Sequence, residues 1–356
     1  MTEYRITYGT AGIALSVLWL SYALVSAPGG LIADRIGERS LLFWSAVVTA
    51  GGAIAVVAAP TFGVFLLATA ILGIGTGLYG TTGTTVLTDV YTHRDTTAVS
   101  VSQVAGTAGT IVLPVVSGLL AVAVGWRLGV AYVVPGFVLL AVGLRYTIPE
   151  RTSPPAATSG QSAREFVRTV REPFFNRTLL FLVCGMTAVG FVYQGLSGFL
   201  PAYLIETKGF SQRDASLLFG LFMLSMIAAK VLCGPVSRRY GDRRSLVGFA
   251  LLGTPAIVAF PFVDSVPGIV SVVWFSGIIL GYTPIATTYA MLFIPGSIQG
   301  TAFGIVRTSF LGVGALAPPL IGLLADEGLF DVAFVGLALA GVVAVAVSLL
   351  LPEKRS

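Results

Sequence analysis

The chain offers little toward metal or nucleophile chemistry. It has one histidine, His93, and two cysteines, Cys184 and Cys233, both inside apolar runs and without CxxC spacing. A metal centre needs several converging ligands, so no metal site or disulfide framework is expected. A Ser/His/Asp arrangement would have only His93 to build on, and there is no Walker-type phosphate loop; no enzyme and no cofactor are implied. Gly75-Thr76-Gly77-Leu78-Tyr79-Gly80 matches GxGxxG, but it lies within an apolar run and not between a strand and a helix, so it reads as helix packing. The groups that remain are polar or charged side chains within apolar runs, which inside a membrane are functional suspects by default. Arg307 sits about six residues into its run, roughly 9 Å deep at 1.5 Å per residue, and Lys230 is about as far from the end of its own; both side chains are also long enough to snorkel. Tyr22, Tyr79, Gln103, Tyr193, Gln194, Tyr282 and Tyr289 are further candidates, with packing or an interfacial belt as the other reading of each tyrosine. Arg307 with Gln103 and Gln194 would suit an anionic or polar solute. No Asp or Glu lies at mid-depth in any run, so a carboxylate proton carrier is not visible.

The elements that must position these groups are membrane helices. The 356 residues are 55% hydrophobic and only 10% charged, with mean hydropathy +0.91, whereas a soluble domain carries about 25% charge. A membrane-spanning helix needs about 20 apolar residues, and eleven runs qualify: 9–32, 41–60, 63–88, 98–124, 127–148, 179–204, 214–236, 246–263, 267–293, 301–325 and 330–351. The net charge of +5 is scattered between the runs and does not cluster on a polar domain, which speaks against nucleic acid. Residues 149–178 differ in composition. Ser153-Pro154-Pro155 opens a flexible stretch, and Arg164, Arg168, Arg171 and Arg177 alternate with apolar residues in a pattern suited to an anionic membrane surface or to a solvated loop. The expected organisation is a five-helix bundle over 1–148, a cytoplasmic linker over 149–178 and a six-helix bundle over 179–356. Placing the loop after the first run inside puts fifteen of the 21 basic residues there and four outside. The positive-inside rule then sets the N-terminus outside and the C-terminus in the cytoplasm. Asn176-Arg177-Thr178 matches a glycosylation sequon but falls on the inside, so no modification is expected.

A constant shift of about 204 positions lays one half on the other. Gly30, Arg35, Gly37 and Arg39 fall on Gly234, Arg239, Gly241 and Arg243; Gly77 falls on Gly281; Pro114 falls on Pro318. The run 179–204 maps to positions before Met1, so a first helix is expected to be absent from the chain as given.

Gly30-Leu31-Ile32-Ala33-Asp34-Arg35-Ile36-Gly37-Glu38-Arg39 resembles the loop signature of the major facilitator superfamily, with Glu38 where that family usually has a basic residue. In the second copy Arg238 replaces the acid, and Phe293 stands where Asp89 would. The Thr69–Gly77 stretch lacks an arginine often found there, and the Gly106–Gly118 stretch reads Leu113-Pro114 where an antiporter motif has Gly-Pro. The resemblance implies an all-α fold of two pseudo-symmetric helix bundles and transport of a small solute by alternating access across the plasma membrane. The partners implied are the lipid bilayer, the solute and a coupling ion, H+ or Na+. It implies that Asp34, Arg35 and Arg39, with Asp89 as partner, bias the inward–outward balance, and that Tyr79, Tyr193, Gln194, Tyr282 and Tyr289 stand on cavity-lining helices. The substrate is open, drug or metabolite efflux and organic-anion transport being the candidates. A non-transporting remnant, sensor or partner subunit on the same scaffold is the competing expectation.

Overall fold

The structure, a computed structural model, describes residues 4, 6–90, 95–149, 176–294 and 299–352. All regular structure among them is helical. The first half contains α1 (Tyr8–Ile36), α2 (Glu38–Ala58), α3 (Phe62–Val90), α4 (Asp95–Val124), α5 (Trp126–Ala131) and α6 (Val134–Thr147). The second contains α7 (Arg177–Glu206), α8 (Gln212–Tyr240), α9 (Asp242–Ala259), α10 (Val266–Ile278), α11 (Tyr282–Met291), α12 (Gln299–Gly314), α13 (Ala317–Asp326) and α14 (Phe330–Leu349). Short 3-10 turns at Phe260–Phe262 and Ile279–Gly281 follow α9 and α10.

Among the described residues, ten helical stretches are long and apolar enough to cross a membrane. Eleven are expected from sequence. The difference is 98–124, which falls in α4, where the described apolar stretch is Ala108–Val124. Three expected spans are built from more than one helix: α5 with α6, α10 with α11, and α12 with α13. Proline accounts for the break in two of them. Pro318 and Pro319 remove two consecutive N–H donors just after α12, and Pro284 removes the one that would pair with the Leu280 carbonyl one turn earlier. The seventh helix starts at Arg177, inside the expected linker, because Asn176 caps it by accepting from the backbone N–H groups of Thr178 and Leu179. The remainder of the expected linker, 150–175, lies outside the described residues.

The chain divides into two compact units. One comprises α1 from Ala14 onward together with α2 to α6; the other comprises α7 to α14 and Ile6–Ile13, the first turns of α1. Close helix approach holds each together, as it must where lipid supplies no hydrophobic drive between helices. In the first unit a Cβ on Gly73 would collide with the Leu18 carbonyl and the Ser21 side chain; in the second, a Cβ on Gly277 would collide with Ser225 and the Phe222 carbonyl. At one end of the second unit, Tyr203 stacks on Phe334 with ring centroids 4.0 Å apart and donates to Asp331 at 2.6 Å, while Phe260 and Phe330 meet it edge-on.

Candidate functional site

The two loop motifs are turns of the same construction. Gly37 joins α1 to α2 at φ 83°, and Gly241 joins α8 to α9 at φ 82°. A side chain is strained at such angles, and glycine is not. An acid follows each glycine, Glu38 at the start of α2 and Asp242 at the start of α9, where the helix dipole favours negative charge. Glu38 is buried, so the residue that departs from the family pattern in sequence is a structural part of the turn. Asp242 accepts from Ser237 across the Gly241 turn. Arg35 is exposed and Arg39 half-buried; Gly30 and Asp34 fall on the closing turns of α1, Gly234 on the closing turns of α8 and Asp89 at the end of α3. The side chains of Asp34, Asp89 and Gln103 lie outside the described part of the structure. In the second copy, Arg243 donates to the Leu349 carbonyl at 2.6 Å, tying the turn to the end of α14, and the Arg239 guanidinium lies 5.4 Å from the Tyr240 ring.

The polar candidates separate by what they touch. Tyr282 is fully buried, with its hydroxyl 3.0 Å from Ser348 Oγ on α14; Tyr289 is buried and donates to the Pro352 carbonyl at 2.9 Å. Both are set into the packing beside α14. Tyr79 lines a pocket of about 300 Å³ in the first unit with Ser45, Thr49 and Thr76, whose hydroxyls donate to backbone carbonyls. Tyr193 is half-buried on α7 and Lys230 is exposed on α8.

Gln194 is different. It is 1% exposed, at mid-length of α7, and neither its amide nitrogen nor its amide oxygen has a hydrogen-bond partner among the described residues. Its Cγ lies against α12: a Cβ on Gly314 would come within 2.9 Å of it and 3.1 Å of the Gly190 carbonyl. One turn back along α12, Phe310 covers Gly190, and Arg307, half-buried, continues the same i, i+3, i+7 stripe. By helical spacing Arg307 stands on α12 about two turns, or roughly 10 Å along the axis, from Gly314, the residue that packs on Gln194 at the α7–α12 seam. That seam ends at the Gly314–Leu316 break. The α7–α12 contact thus holds a buried amide beside an interrupted helix, with a half-buried guanidinium farther along α12.

Sequence reading alone misses Asp326. Its carboxylate caps the start of α1, accepting from the backbone N–H groups of Tyr8 at 2.6 Å and Gly9 at 2.9 Å. Gly12 and Gly322 allow the approach: a Cβ on Gly12 would meet the Pro318 carbonyl, and one on Gly322 the Tyr8 carbonyl. The only sequence signal is an acid at the end of an apolar run, which resembles any loop residue; its partner lies more than 300 positions away.

The fold agrees with comparison to known proteins. The profile of the Major Facilitator Superfamily matches residues 1–281 and 182–356. The cis,cis-muconate transport protein of Acinetobacter baylyi is 29% identical, over 94% of this chain and 83% of its own length. The 2-nitroimidazole transporter of Escherichia coli is 28% identical over 95% of this chain and 85% of its own length, and a probable sulfoacetate transporter of Cupriavidus necator is 26% identical over 97% and 85%. Among solved structures, the nucleoside transporter NupG superposes with a TM-score of 0.81 at 15% identity, covering 98% of this chain and 92% of its own, and a D-xylose–proton symporter with 0.74 at 17%, covering 98% and 90%. With the paired glycine turns, the two helical units and a profile that covers the whole length, the chain belongs to the Major Facilitator Superfamily and is a multi-pass membrane transporter of a small solute.

Proposed function

We propose that this transporter carries a small organic anion across the plasma membrane, with Arg307 and Gln194 as the polar anchors of the solute in the second unit. The carrying observation is Gln194, buried with both amide atoms unpartnered. Leaving such a group unsatisfied costs about 1–3 kcal/mol, a cost that a bound polar solute offsets. Arg307 supplies the cationic group farther along α12, and a guanidinium pairs with a carboxylate or sulfonate in forked geometry. Two relatives are named for muconate and sulfoacetate, both organic anions, and this supports an anionic substrate here. The basic-residue count supports an outside N-terminus and a cytoplasmic C-terminus. On that side Asp34, Arg35 and Arg39, with Asp89, would bias the inward–outward balance, and the second copy, with Arg238 in place of the acid, would not.

The test is uptake into vesicles holding the purified protein. Radiolabelled cis,cis-muconate and sulfoacetate are offered against a neutral sugar. At least one anion should accumulate and the sugar should not. Arg307→Ala should abolish anion uptake, and Gln194→Leu should lower it about tenfold. Sugar uptake at the same rate, or full anion uptake by Arg307→Ala, overturns the reading. The gating role is tested separately: Asp34→Asn should change the accessibility of single cysteines on the two faces, and unchanged accessibility removes that role.

A further inference from the structure

A groove in the second unit lies away from the Gln194 seam. It runs between α8 and α9 over a floor that includes Trp274 of α10, and it has a volume of about 450 Å³. Along α8 its wall extends from Ser225 to Tyr240, fifteen residues or about 22 Å. A bilayer is about 40–45 Å thick with its headgroups, so the groove has the length of one leaflet. Its lining is aliphatic or aromatic apart from three residues. Two of these, Ser225 and Ser245, direct their hydroxyls to the Phe222 and Gly241 carbonyls. The groove lining is thus mainly apolar, with the serine hydroxyl protons already engaged. Leu232, Tyr240 and Leu252 on its walls are each more than half exposed, so it opens outward from the unit.

The third polar residue is Arg244, exposed at the same end of the groove as Tyr240. It belongs to a segment, Arg238–Arg244, with four arginines and one acid. An apolar slot one leaflet long with a cationic mouth has the charge and shape of a lipid with a negative headgroup. We propose that this groove holds one acyl chain of an anionic phospholipid, with its phosphate against Arg244. The lipid would sit between the second glycine turn and the membrane-facing side of α8 and α9, so that binding would bear on the Gly241 turn. The proposal does not depend on the solute or on which face is cytoplasmic.

The test uses Trp274 as reporter. The full-length protein is reconstituted in vesicles containing brominated-acyl phosphatidylglycerol or the matching brominated phosphatidylcholine. Quenching specific to the groove is the difference between the wild type and Trp274→Phe. Phosphatidylglycerol should be preferred by about fivefold, the ratio that about 1 kcal/mol per basic residue implies. Arg244→Gln should remove the preference and Arg244→Lys should keep most of it. Gly248→Phe is a second, independent variant: Gly248 lines the groove and a Cβ there meets nothing within 4 Å, so the ring fills the slot and leaves the packing intact. It should abolish the groove-specific quenching by both lipids. Equal quenching by the two lipids in the wild type, or by Arg244→Gln and wild type, overturns the headgroup assignment. Unchanged quenching in Gly248→Phe overturns the groove itself.

Discussion

The two halves carry the same architecture and differ in how their helices are interrupted. The tight crossing of Gly73 on Leu18 and Ser21 recurs, 204 positions on, as Gly277 on Phe222 and Ser225. A second crossing recurs with the glycine on the opposite partner: Gly75 sits on Thr49 in the first half, and Gly253 on Ile279 in the second. Membrane packing needs one small residue at a crossing and is indifferent to which helix supplies it. At one end of each unit, Tyr4 donates to the Ala59 carbonyl and Lys208, its counterpart, to the Pro261 carbonyl. The counterparts Arg127 and Asp331 are opposite in charge. Arg127 donates to the carbonyls of Val57 and Ala59 at the end of α2, whereas Asp331 accepts from Tyr203. Within the spans the halves diverge. The continuous α3 corresponds to α10, a 3-10 turn and α11; the continuous α4, with a single Pro114, corresponds to α12 and α13, parted at Pro318-Pro319. One proline can be accommodated within a long helix, but two in succession remove adjacent donors and end it. Ancestral symmetry is thus kept where helices cross, and broken where the second half holds its unpartnered amide.

The largest effect should come from the shared crossing. Gly73→Leu and Gly277→Leu each force a side chain onto a backbone carbonyl, at or above the upper end of the about 1–3 kcal/mol typical of overpacking. Both should lose monodisperse protein on gel filtration; tolerance at one position only would break the equivalence of the halves. Next comes the asymmetry. Gln194→Met removes an unsatisfied buried amide and should raise the melting temperature of the solute-free protein, by a gain of about 1–3 kcal/mol, while uptake falls. A lowered melting temperature would mean that Gln194 is already satisfied. Gly37→Ala and Gly241→Ala should each cost about 1–3 kcal/mol, because each places a side chain at positive φ with ψ near 150°, a conformation open essentially only to glycine. Near-equal shifts in thermal unfolding sharpen the comparison, and a difference above twofold weakens it. The smallest effect is that of Asp326→Asn, which keeps an acceptor and loses the charge facing the start of α1. A loss of a few tenths to about 1 kcal/mol is expected, diminished at high salt, and read by the same melting experiment.

Much of this was legible in the chain. Run lengths, the scattered charge and the constant shift give the helices and the internal repeat, because a membrane imposes its thickness on every span and duplication leaves its spacing behind; the family comes from the resemblance of the Gly30–Arg39 motif. Gly37 and Gly241 are likewise visible, since a turn angle is a local property that selects glycine. The polar candidates are visible only as types. Tyr282, Tyr289 and Gln194 look alike in sequence, each a polar residue in an apolar run, and the helical period does not say which neighbour each will meet. Tertiary packing decides that two of them find oxygen partners beside α14 and that the third, pressed against Gly314, finds none. Glu38 reads as a departure from a motif until the turn places it at a helix start, and Asp326 reads as a loop acid until a helix that is distant in sequence brings its free N–H groups to it. Composition and spacing fix what is local or periodic; whether a buried polar group is satisfied depends on atoms from other helices, and only the assembled bundle brings those atoms within reach.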